Sequence, residues 1–439
     1  MANHFKAPAG TYDFLPDDHD FFTFVKKVVR HRFRQSGFRR ISPPLFEETE
    51  TFEKSLGISS EIIKRELYSF EDRHGRSLSL RPEVTTGIVR SFIENDMNAE
   101  ALPKEFYYID RCYRFERPKQ NTRREFWQIG AEIIGETDAA LDAQIIYLGH
   151  QILEDLGIRD KCDLRINTIG SEEDRTKYFE ALANFYADKE KLLSPTTQER
   201  LNQKRYLDVL EPQNEDEEVL VKMAPKIIDF LSPESQEFFD EMIMYLNSFG
   251  IEYTIDPTLI RPNEYYAHTT FEFTETLENK KLLVGGRYDG LSKRLGGPDV
   301  GGVGFSCGVE RTITTMKNCG IDVPHKDYLQ IFVAATGPVA KKHALPILIK
   351  LRKHGFHAVG VLGKTSMVEQ LERAERFNVP YTLLMGDIEV KKQEIIIRNM
   401  KTGKSETIPV DSILDHMDTL LCKKEQRKLD TTTDFLGHE

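Results

Sequence analysis

The sequence predicts an α+β fold: a mainly antiparallel sheet with flanking helices, a helical insertion within it, and a C-terminal α/β domain. Three observations predict it. A long helical pattern at residues 18 to 36 is followed by many short strand-like segments with polar turns between them. Residues 171 to 247 form a charged stretch with Leu and Phe at helical spacing, most acidic at EPQNEDEE, residues 211 to 218. From Tyr328 onward the β-rich runs LQIFVAA, FHAVGV, YTLLM and EIIIR alternate with amphipathic stretches at 338 to 354 and 365 to 377.

A chain of 439 residues is too long for one compact core. CGIDVPHKD, residues 319 to 327, has the Gly, Pro and polar content of a linker, which sets a boundary near residue 325. The expected organisation is a core formed by residues 1–170 and 248–325, an insertion at 171–247, a second domain at 326–424 and a disordered tail at 425–439. The longest apolar runs fall far short of the ~20 residues of a membrane span, so no membrane association is expected. MANHFKAPAGTYDFLPDD lacks a basic start followed by an apolar region, so no secretory signal is read and a cytoplasmic location is expected. Cys112, Cys162, Cys307, Cys319 and Cys422 form no CxxC pair and are expected to be free thiols. The net charge of −11 is unevenly spread. Residues 326–424 hold 16 Lys+Arg against 11 Asp+Glu, whereas residues 1–325 hold 42 against 56, so the basic share that would favour nucleic acid lies at the C-terminal end.

EFYYIDRCYRFERPKQNTRREFWQIGAEIIG, residues 105 to 135, reads as a long hairpin whose polar loop contains Pro118, Lys119, Gln120 and Asn121. On its second strand a period of two puts Arg124, Phe126, Gln128, Gly130 and Glu132 on one face, and Trp127, Ile129, Ala131 and Ile133 on the other. Gln and Glu flanking a glycine predict a hollow lined by hydrogen-bonding groups; the plain alternative is a half-solvated sheet. Arg114 lies near the end of the first strand, followed by Glu116 and Arg117, and an arginine fork fits phosphate or carboxylate oxygens two at a time. In GGVGFSCGVERTI, residues 301 to 313, a small-residue strand runs into a helix with Arg311 in its first turn, where free amides and the dipole already favour anions. Gly302, Gly304 and Gly308 are expected to let a base or ribose lie close to that strand. RPNEYYAHTTFEF from Arg261 and LLVGGRYDGL from Leu282 combine arginine, tyrosine and glycine as a small polar ligand requires. In LSLRPEVTTGIVR, Glu83 and Thr85 stand two apart, so on an extended segment they share a side that could hold an ammonium group.

In this order the segments resemble the class II aminoacyl-tRNA synthetases, and within them the histidyl-tRNA synthetase family, over almost the whole chain. GFRRISPPLFEE, residues 37 to 48, is similar to motif 1 of the class, with Pro44 at its proline and a dimerisation role; the hairpin is similar to motif 2, and GFSCGVER to motif 3. LRPEVT, Arg261 with Tyr265 and Tyr266, and GGRYDGL resemble the signatures for histidine. The C-terminal domain, including AERFNVPYTLLMGDIEVKKQEIIIRN, is similar to the family's anticodon-binding domain.

The resemblance implies histidine activation by ATP, transfer to tRNA(His), Mg²⁺ alongside ATP, and a homodimer. Glu83, Thr85 and Gln128 are then expected at the substrate ammonium, and Glu132 and Tyr266 at its imidazole, with Arg261 and Tyr265 completing the histidine site. Arg114 is expected at the α-phosphate, Arg311 at the γ-phosphate of a bent ATP, and Arg261 at the α-phosphate under attack; Glu116, Arg124 and Phe126 complete the ATP site. Two segments depart from the family pattern: Pro262, Asn263 and Glu264 replace Gly-Leu-Asp after Arg261, and Asn121, Thr122, Arg123 and Arg124 replace Gly-Arg-Tyr-Arg in the motif 2 loop. The alternatives are a non-catalytic paralogue, either a histidine-biosynthesis regulatory subunit or a tRNA-sensing domain, and another class II synthetase. Arg114, Arg261, Arg311 and the C-terminal domain weigh against the first; LRPEVT, Glu132 and GGRYDGL weigh against the second.

Overall fold

The structure, a computed structural model, describes residues 5–16, 18–58, 60–116, 123–260, 265–323, 329–360, 363 and 366–421. Two compact units divide the chain, Met1–Pro324 and His325–Glu439. In chain order the first contains α1 (Asp18–Gln35), β1 (Arg39–Arg40), β2 (Phe46–Glu48), α2 (Thr49–Leu56), β3 (Ser69–Glu71), β4 (Ser77–Leu80), α3 (Thr85–Glu94), β5 (Lys104–Tyr113), β6 (Glu125–Ile134), α4 (Ala139–Asp155) and β7 (Cys162–Thr168). It continues with α5 (Glu172–Tyr186), α6 (Pro195–Asn202), α7 (Glu215–Met223), α8 (Pro233–Ser248), β8 (Thr254–Ile255), β9 (Ala267–Glu275), β10 (Lys280–Arg287), α9 (Leu291–Arg294), β11 (Gly302–Gly308) and α10 (Val309–Asn318).

Eight of these strands form one sheet in the order β1-β5-β6-β11-β10-β9-β7-β8. Pairing is antiparallel except at its two ends, where the two-residue strands β1 and β8 run parallel to β5 and β7. The alternation read from β6 holds: Ile129, Ala131 and Ile133 enter the main core, where Trp127 packs against them. That core also takes Phe22, Val25, Val29 and Phe33 of α1, at the spacing of one helix face, together with the buried faces of α4 and α8. Gln128 and Glu132 are left on the opposite face, and both are buried.

Between β7 and β8, the helices α5 to α7 gather around Tyr178, Leu182, Tyr186 and Leu220, whereas α8 packs Phe239, Met242 and Leu246 into the main core. Their start points are written in the sequence. Ser171 and Asp174 form a reciprocal capping box on α5, and Ser194, Asn214 and Ser232 cap α6, α7 and α8. The Asp174 carboxylate also accepts from Ser232 N at 2.8 Å and Ser235 Oγ at 2.6 Å, so one side chain joins the N-termini of α5 and α8.

The second unit contains β12 (Ile331–Ala335), α11 (Pro338–Lys353), β13 (Ala358–Gly360), α12 (Met367–Arg376), β14 (Tyr381–Met385), α13 (Asp387–Lys392), β15 (Glu394–Asn399), β16 (Ser405–Pro409) and α14 (Ile413–Leu420). Its sheet runs β13-β12-β14-β15-β16, parallel at β12 with both neighbours and antiparallel beyond β14. β16 gives no sequence signal because only Ile408 of its five residues is buried. Cys112, Cys162, Cys307 and Cys319 are free; Cys422 and the 425–439 tail lie outside the described residues.

The deepest ion pair of the first unit joins Arg287, at the end of β10, to Asp142 on α4, and neither side chain is exposed. Arg287 Nε donates to Asp142 Oδ1 at 2.9 Å, Nη1 to Asp289 Oδ1 at 2.8 Å, and the two terminal nitrogens to the Glu136 and Asp138 carbonyls. One planar fork thus fixes β10, α4 and the turn between β6 and α4. Asp142→Ala leaves a buried guanidinium without its main counter-ion, which costs about 3–5 kcal/mol. Urea unfolding of the variant is expected to show that loss; a change under about 1 kcal/mol would mean Asp289 suffices alone.

Candidate active site

A cavity of about 170 Å³ opens on the sheet face opposite α1 and α4. Glu83, Thr85, Arg114, Gln128, Glu132, Tyr265 and Tyr266, all singled out from sequence, line it together. Chain segments more than 180 residues apart in sequence therefore converge on one hollow.

Glu132 sits at its base, 1% exposed. Thr85 Oγ1 donates to one carboxylate oxygen at 2.7 Å and Tyr288 Oη to the other, also at 2.7 Å. Each oxygen keeps a second lone pair for a ligand N–H. Burial raises the Glu132 pKa to about 8; the two hydroxyl donors oppose that rise, and the nearby Glu83 carboxylate adds to it. Glu83 is likewise pushed up by burial. Two buried carboxyls at one hollow, with no buried cation bonded to either among the described residues, are a strong demand for a positive or proton-bearing ligand.

The segment bearing Glu83 and Thr85 is not extended, as its spacing suggested. α3 begins at Thr85, and Glu83 accepts from the Thr86 amide at 3.1 Å, so the two meet the cavity across a helix start. Arg81 makes this turn rigid. It is 5% exposed, donates to the carbonyls of Arg111 and Pro43 at 2.7 and 2.8 Å, and faces Asp110 at 3.4 Å, tying the segment to β5 and to the prolines of residues 37–48.

The glycines do something other than expected. A Cβ on Gly130 would overlap the Tyr108 ring, so no hollow is left there; Tyr108 fills it and donates to Gln128 Oε1 at 3.3 Å. A Cβ on Gly302 would overlap the Tyr288 ring, and one on Gly304 the Glu132 carboxylate. These two glycines make room for the protein's own side chains, and Gly304 also lines the cavity. At Gly308 the nearest neighbour is Arg311, 3.8 Å from the Cβ position, so that site alone keeps the open character read from sequence.

Arg114 follows β5 directly; its Nε donates to the Pro82 carbonyl at 2.9 Å and its guanidinium lies 5.7 Å from the Phe126 ring centroid. Arg311 is in the first turn of α10, exposed, and reaches the Lys281 carbonyl at 3.4 Å. Neither Arg311, Glu116, Arg124 nor Phe126 is among the cavity's lining residues. Arg124 is engaged elsewhere: its guanidinium lies 3.9 Å over the Phe115 ring, and it donates to the carbonyls of Glu116 and Ala9 at 3.2 and 3.3 Å. Arg261 with Pro262, Asn263 and Glu264, and the hairpin loop from Arg117 to Thr122, lie outside the described residues.

Sequence reasoning missed Tyr288, Arg287 and Glu310 as individuals, although GGRYDGL and GVER contain them. Tyr288 orients Glu132. Glu310 accepts from the Trp127 amide at 3.0 and 3.1 Å and so pins α10 to β6. Nothing in the residue types distinguishes these from ordinary strand and helix positions; only the partners do.

A family model for histidyl-tRNA synthetase matches residues 10–312, and one for an anticodon-binding domain matches residues 330–420. A histidine–tRNA ligase of Halothermothrix orenii is 35% identical over 419 residues, covering 95% of this chain and 99% of its own. One of Acaryochloris marina is 37% identical over 403 residues, covering 91% and 92%. The crystal structure of apo S. aureus histidyl-tRNA synthetase superposes with a TM-score of 0.78 at 30% identity, covering 94% of this chain and 99% of that one.

The Glu132 shift has a sign that thermal unfolding can read. With the folded pKa at about 8 against an ordinary 4.5, the folded protein holds a proton the unfolded chain has lost. Stability is therefore greatest at low pH and is lost progressively as pH climbs through about 8. Glu132→Gln, always neutral, is expected to match the parent's Tm near pH 5 and to exceed it increasingly toward pH 9, both without ligand. A Tm gap that is flat with pH would show that Glu132 ionises normally.

Proposed function

The chain belongs to the histidyl-tRNA synthetase family, and on that premise we propose how its residues divide the work of charging tRNA. Its activity is histidine–tRNA ligation: histidine and ATP give histidyl-adenylate and pyrophosphate, and the histidyl group passes to the 3′ end of tRNA(His) with release of AMP. The observation that carries the residue assignment is Glu132, buried at the cavity base between two hydroxyl donors.

Glu132 receives the imidazole with Tyr266 beside it. Between roughly pH 6.5, where imidazole titrates, and about 8, where Glu132 does, the pair holds one proton, either as acid and imidazole or as carboxylate and imidazolium. A flat ring without nitrogens leaves a buried carboxyl unpaired, which is how such a site rejects isosteres. Glu83, Thr85 and Gln128 hold the ammonium, whose charge favours the Glu83 carboxylate that burial alone disfavours. Tyr265, packed 4.6 Å from the Tyr266 ring, completes this wall.

Arg114 holds the α-phosphate and Arg311 the γ-phosphate, with Glu116, Arg124 and Phe126 around the nucleotide. Mg²⁺ is part of the ATP substrate, carried on its phosphates. The substrate carboxylate is already ionised, so its attack on the α-phosphorus needs no base. Pyrophosphate leaves as charge grows on the α-phosphoryl oxygens, which Arg114 and Arg261 stabilise. The terminal ribose hydroxyl of tRNA then attacks the carbonyl of the anhydride, and AMP departs.

The domain assignment is 1–170 and 248–325 for catalysis, 171–247 for the insertion and 326–424 for anticodon binding. A second copy of the chain covers residues 37–48 and the three-stranded sheet β2-β4-β3 to which β2 belongs, where Phe46 and Phe70 are 48% and 44% exposed with rings 6.2 Å apart. No described helix is long and apolar enough to cross a membrane, and the cytoplasm is the proposed location.

Histidine-dependent exchange of pyrophosphate into ATP tests the reading. The parent chain is expected to catalyse it, and Arg114→Ala or Arg261→Ala to lower its rate about 100-fold or more with unchanged Tm, as expected for losing one preorganised charge. Absence of exchange with ATP still bound would make this chain a non-ligating member of its family.

A further inference from the structure

His268, the second residue of β9, carries two anomalies at once. Its φ is +47°, whereas the other described non-glycine residues with positive φ, such as Lys204, Asn279 and Gln393, stand at turns and helix ends rather than within a strand. Its ring Nδ1 is also buried without a hydrogen-bond partner. L-residues adopt the left-handed region at a cost and keep it where surroundings over-determine it, most often at functional sites.

The surroundings do over-determine it. His268 N donates to the Gly170 carbonyl at 2.9 Å and its own carbonyl accepts from Ile169 N at 2.7 Å, extending the ladder from β7. Its ring lies 5.1 Å from that of Phe238 on α8, and Phe238 lies 5.2 Å beneath the Arg287 guanidinium. Asp289, Arg287, Arg175 and Asp174 face the imidazole, and burial keeps it neutral by lowering its pKa, so it acts through shape.

The consequence appears across the sheet. Thr270 pairs with Gly286 and Ala267 with Arg287, so three steps along β9 meet one step along β10. This bulge presses the Thr269 carbonyl and the Tyr266 ring onto Gly286, 2.6 and 3.0 Å from where a Cβ would stand. Tyr266 thereby lines the cavity.

We propose that His268 is a positioning residue for histidine selection: its left-handed backbone holds the bulge that sets Tyr266 in the substrate cavity. This rests on the reading that Tyr266 meets the substrate imidazole. The test uses the full chain and pyrophosphate exchange with histidine and ATP varied separately. His268→Val, β-branched and excluded from the left-handed region, is expected to raise the KM for histidine about tenfold and leave that for ATP within about twofold; His268→Asn, which tolerates the region, stays within about threefold of the parent on both. If the valine variant does not fold, His268→Ala replaces it and must exceed the asparagine variant in histidine KM by about threefold. Equal rises in both KM values, an unchanged histidine KM, or an asparagine variant as impaired as the valine one would each overturn the proposal. Tyr266→Phe separates the failures: if it leaves histidine KM unchanged the pocket reading falls, and if it raises KM while the His268 variants do not, only the present inference does.

Discussion

A guanidinium with no exposed surface, Arg287, is the constraint on which the site depends. Desolvating a charge is expensive, and it is tolerated here because Asp142, Asp289 and two main-chain carbonyls use the whole fork. Such a centre admits few arrangements. It fixes the direction in which β10 ends, and the next residue, Tyr288, is carried to within 2.7 Å of Glu132. Asp289 closes the turn from the other side by accepting from the Gly302 amide at 3.1 Å, which holds β11 in register beside it. A structural ion pair thus sets the position of a cavity side chain one residue later. Rigid support is what a small recognition site needs, since a displacement of about 1 Å loses most of the benefit of orientation.

The glycines of the central strands follow from the same economy. Tyr108, Tyr288 and Tyr266 each lie where a side chain would otherwise stand on Gly130, Gly302 and Gly286. Tyrosine rings set against bare backbone give a wall that is dense and carries hydroxyls. The cavity opens beside these rings, lined by Glu83, Thr85, Glu132 and Tyr266. The arginines read for the nucleotide divide accordingly: Arg114 borders this hollow, whereas Arg311 stands on an exposed helix start outside it.

Much of the fold was legible because its signals are local. The faces of β6, the helix from residue 18 and the alternation after residue 328 follow from side-chain period alone. β16 was not legible, since a strand with one buried residue in five has no period to detect. In the site, Glu83, Thr85, Gln128 and Glu132 could be found because their residue types suit a ligand and their motifs suit a family. Tyr288 and Glu310 could not be ranked above their neighbours, because their roles lie in bonds to residues 156 and 183 positions away. The spacing of Glu83 and Thr85 misled for a related reason: an extended reading ignores that α3 can begin between them, with Glu83 binding its first turn.

Selecting histidine poses a particular electrostatic problem, because imidazole is neither reliably charged nor apolar at neutral pH. A fully solvated carboxylate would favour any cation, including lysine or arginine side chains. A carboxyl whose pKa is lifted to about 8 by burial favours instead a partner that can exchange a proton with it. Thr85 and Tyr288 limit the rise, so that the acid stays within reach of ionisation rather than being locked neutral. On the proposed assignment, selectivity lies in a buried acid and an imidazole that both exchange a proton near neutral pH. The burial that raises this acid is shared with Tyr108, Tyr265 and Tyr288, which lie together in one buried cluster.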